Sequence, residues 1–332
     1  MRYGWTTGAC ATAATKAAYA ALRTGEFPDP VEIVLPKGQK PAFALAVEAL
    51  TETSAMAGIV KDAGDDPDVT HGALIRSTVR YGPKGSGTTF KAGPGVGTIT
   101  KNGLPLDVGE PAINPIPRKM MREAVDNADI EVEIGVDNGE ELARKTWNPR
   151  LGILGGLSIL GTTGIVVPYS CSAWIDSIRR GIDVARAAGR QHVAGSTGST
   201  SEQVVAALYD LPEDALLDMG DFAGAVLKYL RRHPVPRLTI AGGIGKLAKL
   251  AAGHLDLHSQ RSQVDFAFLA ALAGDERLRA ANTALDALRI NPALGDLVAA
   301  QAKATAEGVL GGAPISVDVV VIDRAGMIVG RA

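Results

Sequence analysis

The sequence predicts an α+β domain with a mixed or antiparallel sheet over residues 1–147. An α/β domain with a mostly parallel, doubly wound (Rossmann-like) sheet follows over 148–332. Three observations predict this. In the first half, strand-like runs follow one another with few helices between them. In the second half, short buried strands alternate with helical stretches, the order that builds a parallel sheet. The length of 332 residues, 46% hydrophobic and 21% charged, suits two globular domains with sizeable cores.

Ala9–Arg23 is alanine-rich and helical, with Thr6 or Thr7 as its cap and Gly25 as its stop. The runs VEIVL (31–35), FALAVEAL (43–50), AMAGIVKD (55–62) and ALIRSTVRY (73–81) read as strands. In the last, Ala73, Ile75, Ser77 and Val79 share one face, and Arg76, Thr78 and Arg80 share the other, as in a half-solvated sheet. Pro117 opens a helix to about Asp126, and IEVEI (130–134) alternates again. Residues 151–175 carry no charge. A membrane span needs about 20 apolar residues, but Gly152, Gly155, Gly156, Gly161, Gly164 and Pro168 interrupt this stretch. It reads instead as a buried strand, Leu157–Leu160, a loop, Gly161–Gly164, and a helix from near Ser170 to before Gly189. The remaining parallel strands are HVAG (192–195), LLDMG (216–220), LTIAGG (238–243) and VDVVVID (317–323). Helices are expected near 200–209, 221–232 and 244–252, and within 264–310.

The net charge of −2 gives no global pull toward nucleic acid or anionic lipid. Cys10 and Cys171 are too few for a disulfide framework or a structural zinc site, and no basic start followed by an apolar run marks a signal peptide. A cytoplasmic setting is expected.

In open parallel sheets, ligands bind beyond the carboxyl ends of the strands. Those ends read Gly161-Thr162-Thr163-Gly164, Gly195-Ser196-Thr197-Gly198-Ser199-Thr200, Met219-Gly220-Asp221 and Gly242-Gly243. Each offers glycine for close approach, and most add a hydroxyl or a carboxylate. None is a dinucleotide or Walker fingerprint. Thr6 and Thr7 either cap the first helix or leave its amides for an anion. DAGDDPDVTHG (62–72) is either an acidic turn or a set of carboxylates, Asp62 and Asp65 among them, that bind amines or take a proton. In RKTWNPRLG (144–152), Arg144, Lys145 and Arg150 surround Trp147, as a surface-charged hinge or as a carboxylate-binding patch with an aromatic platform. His254 and His258 stand at i, i+4 without a third ligand, so a hydrogen-bonding role is favoured over zinc.

The motifs YGWTTGACATAATKAA, KDAGDDPDVTHG, GPGVGTIT, GEPAINPIPR, TWNPRLGILGGLSILGTTGIVVPYS, GSTGSTSE, MGDFAG and KLAKLAAGHLDLHS together resemble the CbiD family, the cobalt-precorrin-5B (carbon 1)-methyltransferases of anaerobic cobalamin synthesis. The resemblance runs from about residue 2 to 322. It departs at Asp137-Asn138-Gly139, where family members often carry Pro-Gly-Gly, and 124–130 looks short; both are turns. The resemblance implies a methyltransferase using S-adenosylmethionine. It would methylate a ring carbon of a cobalt-bearing tetrapyrrole, giving cobalt-precorrin-6A and S-adenosylhomocysteine. Cobalt would come with the substrate, so no protein-bound metal is implied.

On this reading Asp62, Asp65 and Thr162 are the catalytic candidates. Gly161, Thr162, Thr163, Gly164, Gly195, Thr197, Gly198, Ser199, Asp221 and Gly242 are candidates for the cofactor. Thr6, Thr7, Arg144, Lys145, Arg150 and His258 are candidates for the substrate. The expected partner is the small-molecule tetrapyrrole, with no nucleic acid and no membrane, and a homo-oligomer is compatible. The alternatives are a non-catalytic tetrapyrrole carrier and a nucleotide-dependent enzyme on the same sheet.

Overall fold

Alanine lets a helix lie close against a sheet, and the first half of the chain is built on that fact. In the computed structural model, which describes residues 1–332, helix α1 (Thr7–Thr24) buries Ala9, Ala11, Ala13, Ala14, Ala17 and Ala18 completely. Thr6 caps it and Gly25 ends it in the left-handed conformation. The helix covers one face of a five-stranded sheet made of β1 (Val47–Leu50), β2 (Ser54–Val60), β3 (Leu74–Tyr81), β4 (Thr88–Ala92) and β5 (Ile130–Val136). The order is β1-β2-β3-β5-β4, antiparallel except for the β5–β4 pair. Ile75, Ser77 and Val79 face inward, and Thr15 Oγ1 meets Ser77 Oγ at 2.8 Å. The outer face carries a charge ladder in which Arg76 pairs with Asp137 and Arg80 with Glu133. Helix α2 (Pro115–Ala124) starts two residues earlier than expected, with Pro115 inside its first turn.

The chain divides into two units, 1–171 and 172–332, rather than at 147/148. The cause is visible in the uncharged stretch. Ile153–Leu154 pairs with Thr98–Ile99, Gly156–Leu157 with Gly95–Val96, and Ile165–Val166 with Gly4–Trp5. Ile159 bridges Ile113 and is fully buried. So residues 148–171 return into the first unit, and Leu157–Leu160 is not a strand of the parallel sheet. Positive φ at Gly152, Gly155, Gly161 and Gly164 turns the backbone too often for one continuous strand.

The second unit begins with α3 (Ser172–Ala187), followed by β6 (His192–Ser196), α4 (Ser199–Tyr209), β7 (Leu216–Asp218), α5 (Ala223–Leu230), β8 (Arg237–Gly243) and α6 (Ile244–Ala251). Three further helices, α7 (Phe266–Ala273), α8 (Ala284–Ile290) and α9 (Leu294–Leu310), fill the long helical region before β9 (Ser316–Ile322). The sheet order is β7-β6-β8-β9-β10, parallel through β9. Strand β10 (Ile328–Arg331) adds an antiparallel edge that the sequence reading missed. Helix α4 packs on the face that includes Ala194, Ala241 and Val320. Helices α3, α5, α6 and α9 bury the opposite face with Val193, Leu238, Ile240 and Val319. Coverage on both faces explains why these strands read as uninterrupted apolar runs.

Candidate active site

Three motifs that the sequence presents separately meet in the first unit, around the start of α1. Thr6 N donates to Gly164 O (3.0 Å), and Gly8 N donates to Leu160 O (2.9 Å). Thr7 Oγ1 accepts from Leu160 N (2.9 Å) and donates to its carbonyl (3.2 Å). Trp5 N donates to Asp62 O (2.7 Å). The helix amides expected to await an anion are therefore used: Gly8 by Leu160, and Ala9 by Thr6 Oγ1 at 3.2 Å. Thr6 and Thr7 act as caps and clamps.

The glycines of the GTTG loop are also occupied from within. A Cβ at Gly161 would lie 2.3 Å from Thr6 Oγ1, and one at Gly164 would lie 2.5 Å from Leu35 Cδ2. What approaches these glycines on the Cβ side is the chain itself. Thr163 Oγ1 bonds Ile165 N at 3.2 Å, closing the turn, and Thr162 is exposed.

The acidic loop is likewise wired to its surroundings. Asp62 grips the Arg2 guanidinium and accepts from Gly64 N (2.9 Å). Its hydrogen bonds to Arg2 hold its carboxyl below the usual carboxylate range. Asp65 Oδ2 accepts from Arg2 N at 2.6 Å, and Asp66 Oδ1 from Tyr169 N at 2.8 Å. Burial pushes the Asp68 carboxyl up, but the charge and hydrogen bond of Lys61, with the hydroxyl and backbone hydrogen bonds of Thr70, outweigh it and hold the group low. Lys61 is 1% exposed, and its Nζ meets Asp68 Oδ2 at 2.7 Å. The hydrogen bonds from Arg2 and Gly64 thus favour the ionised form of Asp62. The backbone amide held by Asp65 makes that residue a structural link as well.

The basic cluster around Trp147 is dispersed in its contacts. Arg144 reaches Glu140 (3.5 Å) and lines a cleft with Asp137, Glu140 and Glu141, whose carboxylates outnumber it. The Arg150 guanidinium lies 4.6 Å from the centroid of Trp147, so that ring is already covered. Lys145 is exposed. Asn148 is structural: its Nδ2 donates to Gly156 O at 3.2 Å.

The carboxyl edge of the second unit's sheet is different. Strands β6 and β8 are neighbours, yet the helices that follow β6 and β8 lie on opposite faces of the sheet. The chain parts there, and a crevice results. It has a volume of about 660 Å³ and is lined by Thr197–Ser201 after β6, Gly243–Lys246 after β8, Asp323 and Arg324 after β9, and Thr283–Leu285. A Cβ on Gly198 or Gly243 would meet nothing within 4 Å. Both glycines are helix N-caps without a side-chain cap, so the first amides of α4 and α6 carry no side-chain acceptor. Gly242 is the exception, because a Cβ there would lie 2.5 Å from Thr197 Oγ1; it is needed for strand packing. Gly195 sits over Met219 in ordinary contact distance.

Two polar atoms at this edge, Ser196 Oγ and Asp221 Oδ1, are buried without a hydrogen bond. Lys246 Nζ lies 3.1 Å from Asp221 Oδ1 and donates to Thr197 O at 3.0 Å. The approach to Asp221 is an ion pair whose angle does not make a hydrogen bond, so the carboxylate keeps acceptor capacity. His258 lies close by in sequence-coupled contacts: Leu257 N donates to Asp221 O (2.8 Å), and the Lys249 ammonium donates to Leu257 O (2.9 Å). Burial lowers the pKa of Lys249. His254 and His258 stand on an irregular segment, not a helix, so their spacing does not put them on one helical face. Sequence reasoning missed Lys246 and Arg324 here. The signal was available in GGIGK, where a lysine follows an uncapped helix start.

The second unit is an open α/β sheet covered on both faces, with a crevice at its strand ends, where folds of this class take small ligands. The family model described as CbiD matches residues 1–168, and the model described as CbiD, C-terminal domain, matches 256–332. A Brucella anthropi protein named cobalt-precorrin-5B C(1)-methyltransferase is 61% identical over 351 residues, covering 100% of this chain and 95% of its own. A protein of the same name from Brucella melitensis biotype 2 is 61% identical over 352 residues with the same coverage. A crystal structure of the cobalamin biosynthesis protein (cbiD) from Archaeoglobus fulgidus is 25% identical, with a TM-score of 0.41, and the match covers 84% of this chain and 82% of that one. This chain belongs to the CbiD family. No helix in it is long and apolar enough to cross a membrane.

Proposed function

We infer that the chain is a methyltransferase of cobalamin biosynthesis that methylates carbon 1 of cobalt-precorrin-5B. The names of its full-length relatives support the reaction. We further infer that S-adenosylmethionine is the donor, bound in the crevice of a doubly wound, Rossmann-like second domain. The observation that carries this placement is the pairing of open glycines with an incompletely satisfied buried carboxylate at one edge. Gly198 and Gly243 leave room for a ligand against the backbone, and Asp221 Oδ1 has an unused acceptor.

The donor set fits the cofactor's chemistry. The uncapped amides of α4 and α6, with Lys246, suit the amino-acid carboxylate. Asp221 suits the ammonium group or the ribose hydroxyls. When bound, S-adenosylmethionine supplies a methyl group already activated by its sulfonium. The protein's task is then to hold two partners in line and exclude water, which needs neither a nucleophile nor a relay. Of the substrate candidates, His258 keeps an exposed side chain in the second unit and remains a proposed contact for the macrocycle's carboxylates; Lys145 and Thr162 are exposed on the first unit. A cytoplasmic setting and self-association also stay within this proposal.

The test is binding of S-adenosylhomocysteine by titration calorimetry. It should raise the melting temperature of the wild type, since a ligand of the folded state stabilises it. Asp221→Asn should weaken binding about tenfold, as loss of one charge-assisted contact of about 1.5 kcal/mol implies. A carrier without a cofactor would show neither effect, and equal affinity in a folded Asp221→Asn protein would move the cofactor elsewhere.

A further inference from the structure

We propose that Trp174 is the platform on which the planar macrocycle of the substrate lies, a positioning and specificity-determining residue at the same edge. The proposal rests on the reading that this edge is the active site. Trp174 stands in the first turn of α3, and its indole Nε1 donates to Asp218 O at 3.0 Å, at the end of β7. The ring lies against the β7–α5 turn. Gly220 has φ +54° there, and a Cβ on it would come within 3.1 Å of Trp174 Cζ2. The Phe222 ring packs at 6.1 Å with a 59° tilt. The polar edge is therefore satisfied and the rotamer is held, yet the residue is 43% exposed. The buried part fixes the residue, and its exposed part is an apolar surface held in one place at this edge.

Its position selects the macrocycle over the adenine of the cofactor. Trp174 does not line the crevice. From α3 its indole reaches the end of β7, the edge strand beyond β6, and Asp221 follows directly after the Gly220 turn that the ring touches. Asp221 pairs with Lys246, which does line the crevice. The order along the edge is thus crevice, Lys246, Asp221, Trp174. A ligand confined to the crevice is separated from the indole by that ion pair, whereas a partner lying beside that ligand for methyl transfer would meet the exposed part of Trp174. Trp147, the aromatic residue the sequence puts forward for this role, has Arg150 on its ring.

The experiment measures both ligands on Trp174→Ala, Trp174→Leu and Trp174→Phe. Cobalt-precorrin-5B binding is followed by the change in its visible absorption, S-adenosylhomocysteine binding by calorimetry, and steady-state constants by turnover. In Trp174→Ala the Kd and KM for the macrocycle should rise at least about fivefold, the low end for removing an aromatic stacking surface. Affinity for S-adenosylhomocysteine should stay within about twofold, and Trp174→Phe should restore most of the loss. If Trp174→Ala fails to fold, Trp174→Leu fills the space over Gly220 and should show the same macrocycle defect. Unchanged macrocycle affinity in the folded Ala or Leu variant overturns the proposal. So does loss of S-adenosylhomocysteine alone, which would put adenine on the ring. Failure of the crevice reading is separate: it shows as S-adenosylhomocysteine binding that ignores Asp221→Asn.

Discussion

Two kinds of glycine-rich loop in this protein look alike in sequence and have opposite surroundings. In GTTG (161–164), Thr6 and Leu35 fill the space a side chain would take. In STGST (196–200) and GGIG (242–245), Gly198 and Gly243 face open space. The first loop uses glycine because the chain's own atoms come close. The second uses it beside a crevice that no protein atom fills. The difference teaches that glycine reports close approach without reporting what approaches. The neighbours decide.

The largest expected effect breaks the comparison on the packed side. Gly161 has φ +132°, and its Cβ would strike the Thr6 hydroxyl that caps α1. Gly161→Val should therefore combine backbone strain, overpacking and loss of a cap, together about 3 kcal/mol or more. Urea denaturation checks this. A stable, active variant would show that the loop has slack and that its glycine is not held by α1.

Much of the architecture was legible because each strand's surroundings leave a period in the sequence. The alternation of 73–81 and 130–134 reports a sheet covered on one face, and the unbroken runs 192–195 and 238–243 report one covered on both. The stretch 151–166 misled because an apolar run reports burial but not the partner. Ile159 is as buried against Ile113 as it would have been in the parallel sheet. The acidic loop misled for a related reason. Asp62, Asp66 and Asp68 look like free carboxylates, but Arg2, Tyr169 and Lys61 come from 60, 103 and 7 positions away, and no local pattern announces two of those partners. Trp174 was hidden by the same limit, since its exposure depends on the turn at Gly220.

A smaller effect sharpens the open side. Gly198 has φ 170°, extended backbone that any residue adopts, and its Cβ has free space. Gly198→Val should leave the melting temperature nearly unchanged while lowering affinity for S-adenosylhomocysteine tenfold or more, about 1.4 kcal/mol. Thermal melts and calorimetry on one preparation separate the two. If the variant unfolds, the two loops are alike after all; if it binds normally, the crevice is not the cofactor's.

The smallest effect concerns how the two units answer to acid. In the first, Asp62 and Asp68 are held low, so what they contribute to stability is present above their unfolded value near pH 4. It is lost only as pH falls through the lower folded values. In the second, His192 is the group that responds earlier. Its Nε2 meets Thr239 Oγ1 at 2.8 Å, with Arg237, Asp318 and the Tyr209 ring around it. Burial and the charge of Arg237 lower its pKa, against the pull of Asp318. A depressed histidine is neutral when folded and takes up a proton when unfolded below about pH 6.5. The unfolded state then binds more protons, so stability falls as pH drops from about 6.5 through the folded value, and below that the loss stops growing. The slope is limited to about 1.4 kcal/mol per pH unit, the uptake of one proton. Denaturation between pH 8 and 5, followed by Trp174 fluorescence in a Trp5→Phe, Trp147→Phe background, reads the second unit. His192→Gln removes the titration while keeping a polar partner for Thr239, and should flatten that pH dependence without moving the first unit. An unchanged slope would assign the acid response to another group.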